Sequence, residues 1–503
     1  MRDKLPSPGG GFHEFDGKGT RATRRLRRLL RQLRPAPHER PAAHPHRKRI
    51  RIAIVVGSAL TIVVAVGIWS QRGHRVSTTI PQWEPASGAF LSSPMHETPV
   101  TGWRSTSPRW GLTDPTAHLA SIDIRRGTRP LVGAIDKNAY FIATTSAAPG
   151  PVWWLIAVDT LTGDSLFPAV SLGSGVRSPK CFLNGSEHVL CLRAHDDSSV
   201  TASVVDSRTG AVTFEGATDL RTGMGRLEVH QVGMYAVART QDQGVYGIGP
   251  RAETTWFVPG DGSIQVNDLT QFGLPPQEIT TQGHRNPRLW STTVFSVKDG
   301  KVLHDGSTES DRLEKTLVYP GGFAAHVDRN DDDLGVQFFD STGNRVGDSV
   351  RDGSLPDGTP GLPIVTSDGE YSVFSVDGRR LFNIPRGALY IVDSTLYVNA
   401  SGSQAFPEWQ QYDLPSGKTG PVCDFAMQNF IGFNDTTMLF APNMPNSQVL
   451  LSAYDKNTCE RLWKMPSSGA DERVWRVGDT LIRSSGDGTE LTSLAAPGEA
   501  PPR

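Results

Sequence analysis

Apolar and polar positions alternate in short runs along most of this chain of 503 residues, and the runs follow a grammar that repeats. Leu155-Ile-Ala-Val-Asp159 is an apolar stretch ending on an aspartate, Thr160 to Gly163 is a polar turn, and a second stretch reaches Phe167. That order predicts a strand, a tight turn and a second strand. It returns at Ser203–Gly210 with Val212-Thr-Phe214, at Val336–Gly343, at Tyr412–Gly417, and at Ala453–Cys459 with Leu462-Trp463. Looser copies sit at Phe295–Gly300 and Phe374–Gly378. From Asp159 to Asp455 the turns recur about every forty residues, with one gap of about two intervals after Asp206. All-strand units of that period predict a seven- to eight-bladed β-propeller over residues 118–497. Ser121-Ile-Asp123 with Gly127 reads as an isolated half unit, and Val477–Arg483 with Glu490–Leu494 as a partial last one. The two ends are therefore expected to share the closing blade.

Ahead of residue 118 the pattern changes. Ile52–Trp69 is apolar, and the twenty residues between Arg51 and Arg72 carry no charge. At about 1.5 Å per residue such a stretch crosses a hydrocarbon core of roughly 30 Å, so a single transmembrane signal-anchor helix is expected at 50–70. Arg47-Lys-Arg49 and Arg51 flank it, which puts residues 1–49 in the cytoplasm and the C-terminal domain outside it, in a single-pass cell-membrane protein. Within the cytoplasmic region Leu26, Leu29, Leu30 and Leu33 share one helical face, and arginines beginning at Arg24 surround them. An amphipathic helix over 21–34, lying on anionic lipid of the inner leaflet, follows from that spacing. Residues 71–117 are rich in Ser, Thr and Pro and read as a linker, with Trp83, Trp103 and Trp110 suggesting that part of it packs back on the domain. Residues 498–503 read as a disordered tail.

Charge sharpens this division. Of 51 Lys and Arg, fifteen lie in residues 1–51, against four of the 52 Asp and Glu; 36 basic and 48 acidic residues remain for the rest. An acidic body lacks the basic footprint that phosphate binding needs, so nucleic acid is excluded as a partner of the propeller. The four cysteines fall into two pairs, Cys181 with Cys191 and Cys423 with Cys459. The first pair brackets a hairpin symmetric about Ser186, and Cys459 stands where its repeat should carry glycine. Of the three possible connectivities the local one is expected, as two disulfides in an oxidising compartment. Asp328, Asn330 and Asp332 match positions 1, 3 and 5 of a calcium loop, but Asp333 and Phe339 stand where the loop needs Gly and Glu. A solvated hairpin tip is the preferred reading there. No nucleophile elbow, zinc-protease or phosphate-loop motif occurs, so no catalytic residue, metal or cofactor is assigned.

The strand-Asp-x-x-x-Gly-strand unit, followed by an aromatic such as Phe167, Phe214 or Trp463, resembles the pyrroloquinoline-quinone-like β-propeller repeat. In this unit Asp caps the turn, Gly supplies positive φ, and the aromatic packs between blades. The resemblance implies a propeller related to quinoprotein dehydrogenases and to the propeller lipoprotein of outer-membrane barrel assembly. Quinone enzymes of that family carry adjacent cysteines and a tryptophan in nearly every repeat; here no Cys-Cys occurs and only Trp463 holds that place. The expected function is a membrane-anchored, non-catalytic scaffold for a protein or cell-envelope partner. A quinoprotein-type dehydrogenase and a transmembrane ligand sensor are the alternatives.

Overall fold

The computed structural model describes residues 91–499 except 122–129, 147–149, 224, 267–274, 287–288, 307–311, 330–331, 358–360, 400, 402–406, 443–446 and 470–471. The chain divides into two compact units, Met1–Thr79 and Ile80–Arg503, and every described residue belongs to the second. The span expected at 50–70 and the helix expected at 21–34 lie outside the described residues. Among the described residues no helix is long and apolar enough to cross a membrane.

The described strands form nine antiparallel sheets, and each is a blade. In chain order they lie within residues 118–174, 180–217, 228–259, 279–304, 312–350, 364–384, 388–423, 430–466 and, for the ninth, 473–495. The ninth blade borrows its outermost strand, Val100–Thr106, from the other end of the chain, where it pairs with Glu490–Ala495. Nine blades correct the seven or eight expected from the turn count. The count fell short at two places, and each has a physical cause. In blade 3 the turn between the third and fourth strands has no leading Asp: Gly249 N donates to Glu253 O, and Arg251 N donates to the Glu253 carboxylate from beyond the turn. In blade 9 that turn cannot exist, because its third and fourth strands are the two ends of the chain.

Where the motif occurs, it does what its residues dictate. Asp206 N donates to Ala211 O, Gly210 N donates to Asp206 O at 3.0 Å, and the Asp206 carboxylate accepts from Arg208 N and Thr209 N. Gly210 closes the turn at φ 71°, and a β-carbon there would sit 2.5 Å from the Phe167 ring of blade 1. The glycine thus provides both the left-handed backbone and the room for its neighbour's ring.

Among the described residues, apolar side chains gather in nine clusters, one at each blade-to-blade seam, with no cluster common to the ring. Leu190 and Ala202 of blade 2, for example, pack with Val229 and Ala238 of blade 3. The closing strand corrects a further expectation. Residues 91–117 belong to the folded unit instead of a linker, and Glu490–Ala495 has Val100–Thr106 and Thr480–Ser484 as its two neighbours in the closing blade. Of Ser121–Gly127, expected in that blade, only Ser121 is described. Trp103 and Trp110 are buried at this seam, and Trp103 Nε1 donates to Thr160 O at 2.8 Å. Ahead of the strand, Leu91 and Met95 are buried against blades 8 and 9: Leu91 N donates to Phe433 O, and Trp463 Nε1 donates to Met95 O. Residues 91–95 form a strap that laces blade 8 to blade 9.

Candidate functional site

The register of the blades gives the ring two faces. One carries the first-to-second and third-to-fourth strand turns, including the Asp-x-x-x-Gly motif. The other carries the second-to-third turns and the starts of the innermost strands, and on this face ion pairs recur. In blade 3, Glu228 opens the innermost strand opposite Arg239, which donates to it through Nη2 at 2.8 Å and Nε at 3.1 Å. In blade 5 the polarity is reversed: Arg312 opens the strand opposite Asp328, with Nη2 donating to Asp328 Oδ2 at 2.6 Å and to Glu314 Oε1 at 3.0 Å. In blade 9 the fully buried Glu472 carboxylate pairs with Arg483 and accepts from Ser468 N at 2.6 Å. In blades 3 and 5 the opposite charges face each other directly across the ladder, as antiparallel pairing rewards, and in blade 9 Glu472, just ahead of the strand, reaches Arg483 diagonally.

Electrostatics at these sites follow from burial and partners. Burial raises the Glu228 carboxyl, but Arg239 and His230 outweigh it and hold the group below the usual range. His230, whose Nε2 lies 3.5 Å from Glu228 Oε2, is pushed below the usual histidine range by burial, against the pull of Glu228. In blade 5, His326 stands between two carboxylates, with Nδ1 3.4 Å from Glu314 Oε2 and Nε2 3.3 Å from Asp333 Oδ1. Asp333 is 71 % exposed and Glu314 45 %, so this network shows acidic oxygens to solvent over a mostly buried Arg312. At the seam between blades 9 and 1 the same face opens a small cleft lined by His118, Ser121, Arg473, Trp475, Ser484 and Asp487. The chemistry available at this rim is recognition of charge.

The residues singled out in the sequence are placed as follows. Asp328 belongs to a hairpin in which Arg329 faces Asp332, and its carboxylate is taken by Arg312. Asn330 lies outside the described residues, and of Asp332 only the backbone is described. Among the described residues no group of three or more His, Cys, Asp or Glu side chains is arranged to hold a metal ion. Both disulfides form, Cys181–Cys191 and Cys423–Cys459. The lipid-facing set Arg24, Leu26, Leu29, Leu30 and Leu33 lies outside the described residues. Sequence reasoning missed the strap, the rim ion pairs and the buried Gln411, whose amide donates to Lys456 O at 2.8 Å. The closing strand did leave a trace, in the Trp103 and Trp110 that stood out in a Ser/Thr/Pro-rich segment.

The nine-bladed ring has a counterpart among known protein families. Residues 75–497 match the model of the conjugation-associated 9-bladed β-propeller domain. The chain belongs to this family. A relative in Mycolicibacterium smegmatis (strain MKD8), an uncharacterized protein, is 35 % identical over 473 residues, which cover 90 % of this chain and 97 % of the relative. Among solved structures, BamB from Moraxella catarrhalis aligns at 9 % identity over 76 % of this chain and 98 % of its own, with a TM-score of 0.37. A eukaryotic initiation factor aligns at 12 % identity over 72 % of this chain and 97 % of its own, with a TM-score of 0.40. The family sets the blade number at nine and the type as conjugation-associated.

Proposed function

We propose that this chain is a membrane-anchored scaffold of a conjugative DNA-transfer apparatus, with its propeller on the extracytoplasmic side binding a protein component of that apparatus. Membership in the conjugation-associated family carries this reading. The uncharged run at 52–71 with its basic flank supports anchoring at the cell membrane, and the two disulfides support an oxidising compartment for the propeller. The basic segment 21–34 lies on anionic lipid at the inner leaflet. The rim of ion pairs is the binding face: charges fixed in register select partners and orient their approach more than they add affinity. The partner is a protein surface of complementary charge, and nucleic acid is left to other components.

The test is DNA transfer between cells. Donors lacking the gene should lose transfer while growing normally, and the full chain should restore it. A chain lacking residues 1–75, sent to the same compartment by a cleavable signal, should restore it poorly. Normal transfer from the deleted donor overturns the reading; full rescue by the unanchored body removes the membrane from it. A Glu228→Lys, Asp333→Lys variant that stays folded should lower transfer, which ties the activity to the rim.

A further inference from the structure

At several seams a side chain of one blade covers the turn glycine of the next. A β-carbon on Gly163 would meet the Trp103 ring, one on Gly300 the Trp256 ring, and one on Gly417 the Phe382 ring, each within 3.0 Å. The seam between blades 7 and 8 departs from this. The turn position is Cys459, held at φ 64° where Gly163, Gly210 and Gly417 stand at 75°, 71° and 67°. The outer strand of blade 7, Thr419–Cys423, supplies a sulfur instead of a ring, and the disulfide Cys423–Cys459 joins the blades. Unlike Cys181–Cys191, whose cysteines face each other on adjacent strands of one blade, it is a bond between blades.

Its surroundings are polar and specific. Gln411 Nε2 donates toward Cys423 Sγ at 3.4 Å, Cys459 Sγ at 3.2 Å and Lys456 O at 2.8 Å. Lys456 is itself buried and paired with Asp393 of blade 7. A buried amide donor beside both sulfurs stabilises the thiolate that leaves when the bond breaks, and a thiol with a better-stabilised anion leaves faster. Cys423 is buried and Cys459 half-buried, so Cys459 is the more exposed cysteine of the pair. A β-carbon in the left-handed region is strained, so the reduced turn is free to relax.

We infer that Cys423–Cys459 is an exchangeable disulfide, a site for a protein dithiol, and that its reduction loosens the seam between blades 7 and 8 while the ring stays closed elsewhere. A thiolate of the dithiol attacks Cys459 Sγ; a mixed disulfide forms, the Cys423–Cys459 bond breaks, and the electron pair leaves on Cys423 Sγ beside Gln411. The second thiol of the reductant then attacks its partner sulfur and releases Cys459. Two electrons pass to the cysteines, the reductant becomes a disulfide, and its two protons end on Cys423 and Cys459. The inference stands apart from the conjugation reading, since it needs no partner at the rim.

The experiment uses the full chain in detergent, equilibrated with graded ratios of reduced to oxidised dithiothreitol, alkylated, and read by peptide mass spectrometry, with Cys181–Cys191 as internal reference. The Cys423–Cys459 bond should be half reduced at a ratio about ten-fold lower, or less, than its reference. At that ratio, amide exchange should rise in Ala388–Val392, Trp409–Asp413 and Thr437–Phe440 and stay unchanged in blades 2 and 3. Gln411→Leu should move the midpoint of this disulfide alone toward stronger reductant. Equal midpoints for the two disulfides in the unaltered chain overturn the inference. So does exchange that rises around the whole ring, or that does not rise between blades 7 and 8.

Discussion

The seam between blades 9 and 1 and the seam between blades 7 and 8 hold the same kind of ring together by opposite means. The first is spread out. The ladder between Val100–Thr106 and Glu490–Ala495 completes blade 9, Trp103 covers Gly163 of blade 1, and Trp110, Leu112 and Leu119 pack with Val477, Ile482 and Leu491. The second concentrates its polar and covalent ties around one turn: a disulfide, the buried Lys456–Asp393 pair, and Gln411 between them. The difference teaches that closure of a ring needs backbone pairing between ends distant in sequence, whereas a seam between neighbours in the chain, already packed through its apolar cluster, can gather its polar and covalent ties at one turn. Loop-closure cost explains this, because neighbours are already tethered and the two ends are not.

Breaking the spread-out seam should have the largest effect. Removing residues 488–503 deletes the partner of the closing strand and exposes an open edge, and should lower the thermal midpoint of the 76–503 body by about 10 °C or more. Calorimetry of the two bodies decides it; a truncation that melts like the parent would mean that the ladder does not close the ring. Trp103→Ala removes a buried ring and its bond to Thr160 O, and should cost about 3–5 kcal/mol in urea unfolding. At the concentrated seam, Asp393→Asn leaves Lys456 buried beside a neutral partner and should cost about 3 kcal/mol, while the double replacement Asp393→Leu, Lys456→Met should recover most of it. A double variant as unstable as the single one would show that neighbours other than Asp393 fix Lys456. Replacing Cys181 and Cys191 by serine should cost about 2–3 kcal/mol at most, since the bond closes only ten residues.

The smallest effect is on pH dependence. The Thr209 hydroxyl and the Thr209 and Arg208 amides hold the Asp206 carboxyl below the usual range, and the Thr342 hydroxyl and Asn344 amide do the same for Asp340. A depressed folded value means that the unfolded chain binds the proton first. The caps therefore contribute stability that is complete above about pH 4 and is lost as pH falls through the folded values. Thermal midpoints measured from pH 7 down to pH 3 should drop in that window, and Asp206→Asn should flatten the drop slightly.

Much of this comparison was legible in the chain, for reasons that differ by residue. Asp206 and Gly210 announce a turn because the capping oxygen and the positive φ are local demands, met within a few residues. Blade 3 hides because Glu253 caps its turn from downstream, so the same physics leaves a different spelling. The closing strand hides for another reason: Val100–Thr106 acquires its meaning only from Glu490–Ala495, and no local pattern records a partner so far away. Pairing of Cys181 with Cys191 was readable from hairpin symmetry, and the odd Cys459 pointed to Cys423. Gln411 and the Glu472–Arg483 pair gave no sign, since their roles arise from packing between strands that the repeat does not specify. The rim is likewise a product of register, visible only once Arg312 and Asp328 are seen side by side.

The closing strand also sets an order of events in synthesis. Trp103 N donates to Ser493 Oγ, a contact between residues 390 positions apart. At about 5–20 residues per second, roughly 20–80 s pass between the emergence of one strand and that of its partner. During that time blades 1 to 8 can form in turn from local hairpins, but blade 9 lacks its three inner strands and Val100–Thr106 has nothing to pair with. The nascent protein thus carries an unpaired strand at its beginning for almost the whole of its production, and both free edges vanish in one late step. A ribosome that stops before Glu490 therefore releases a polypeptide with most of its hairpins formed and no finished ring, a ready substrate for chaperones and proteases.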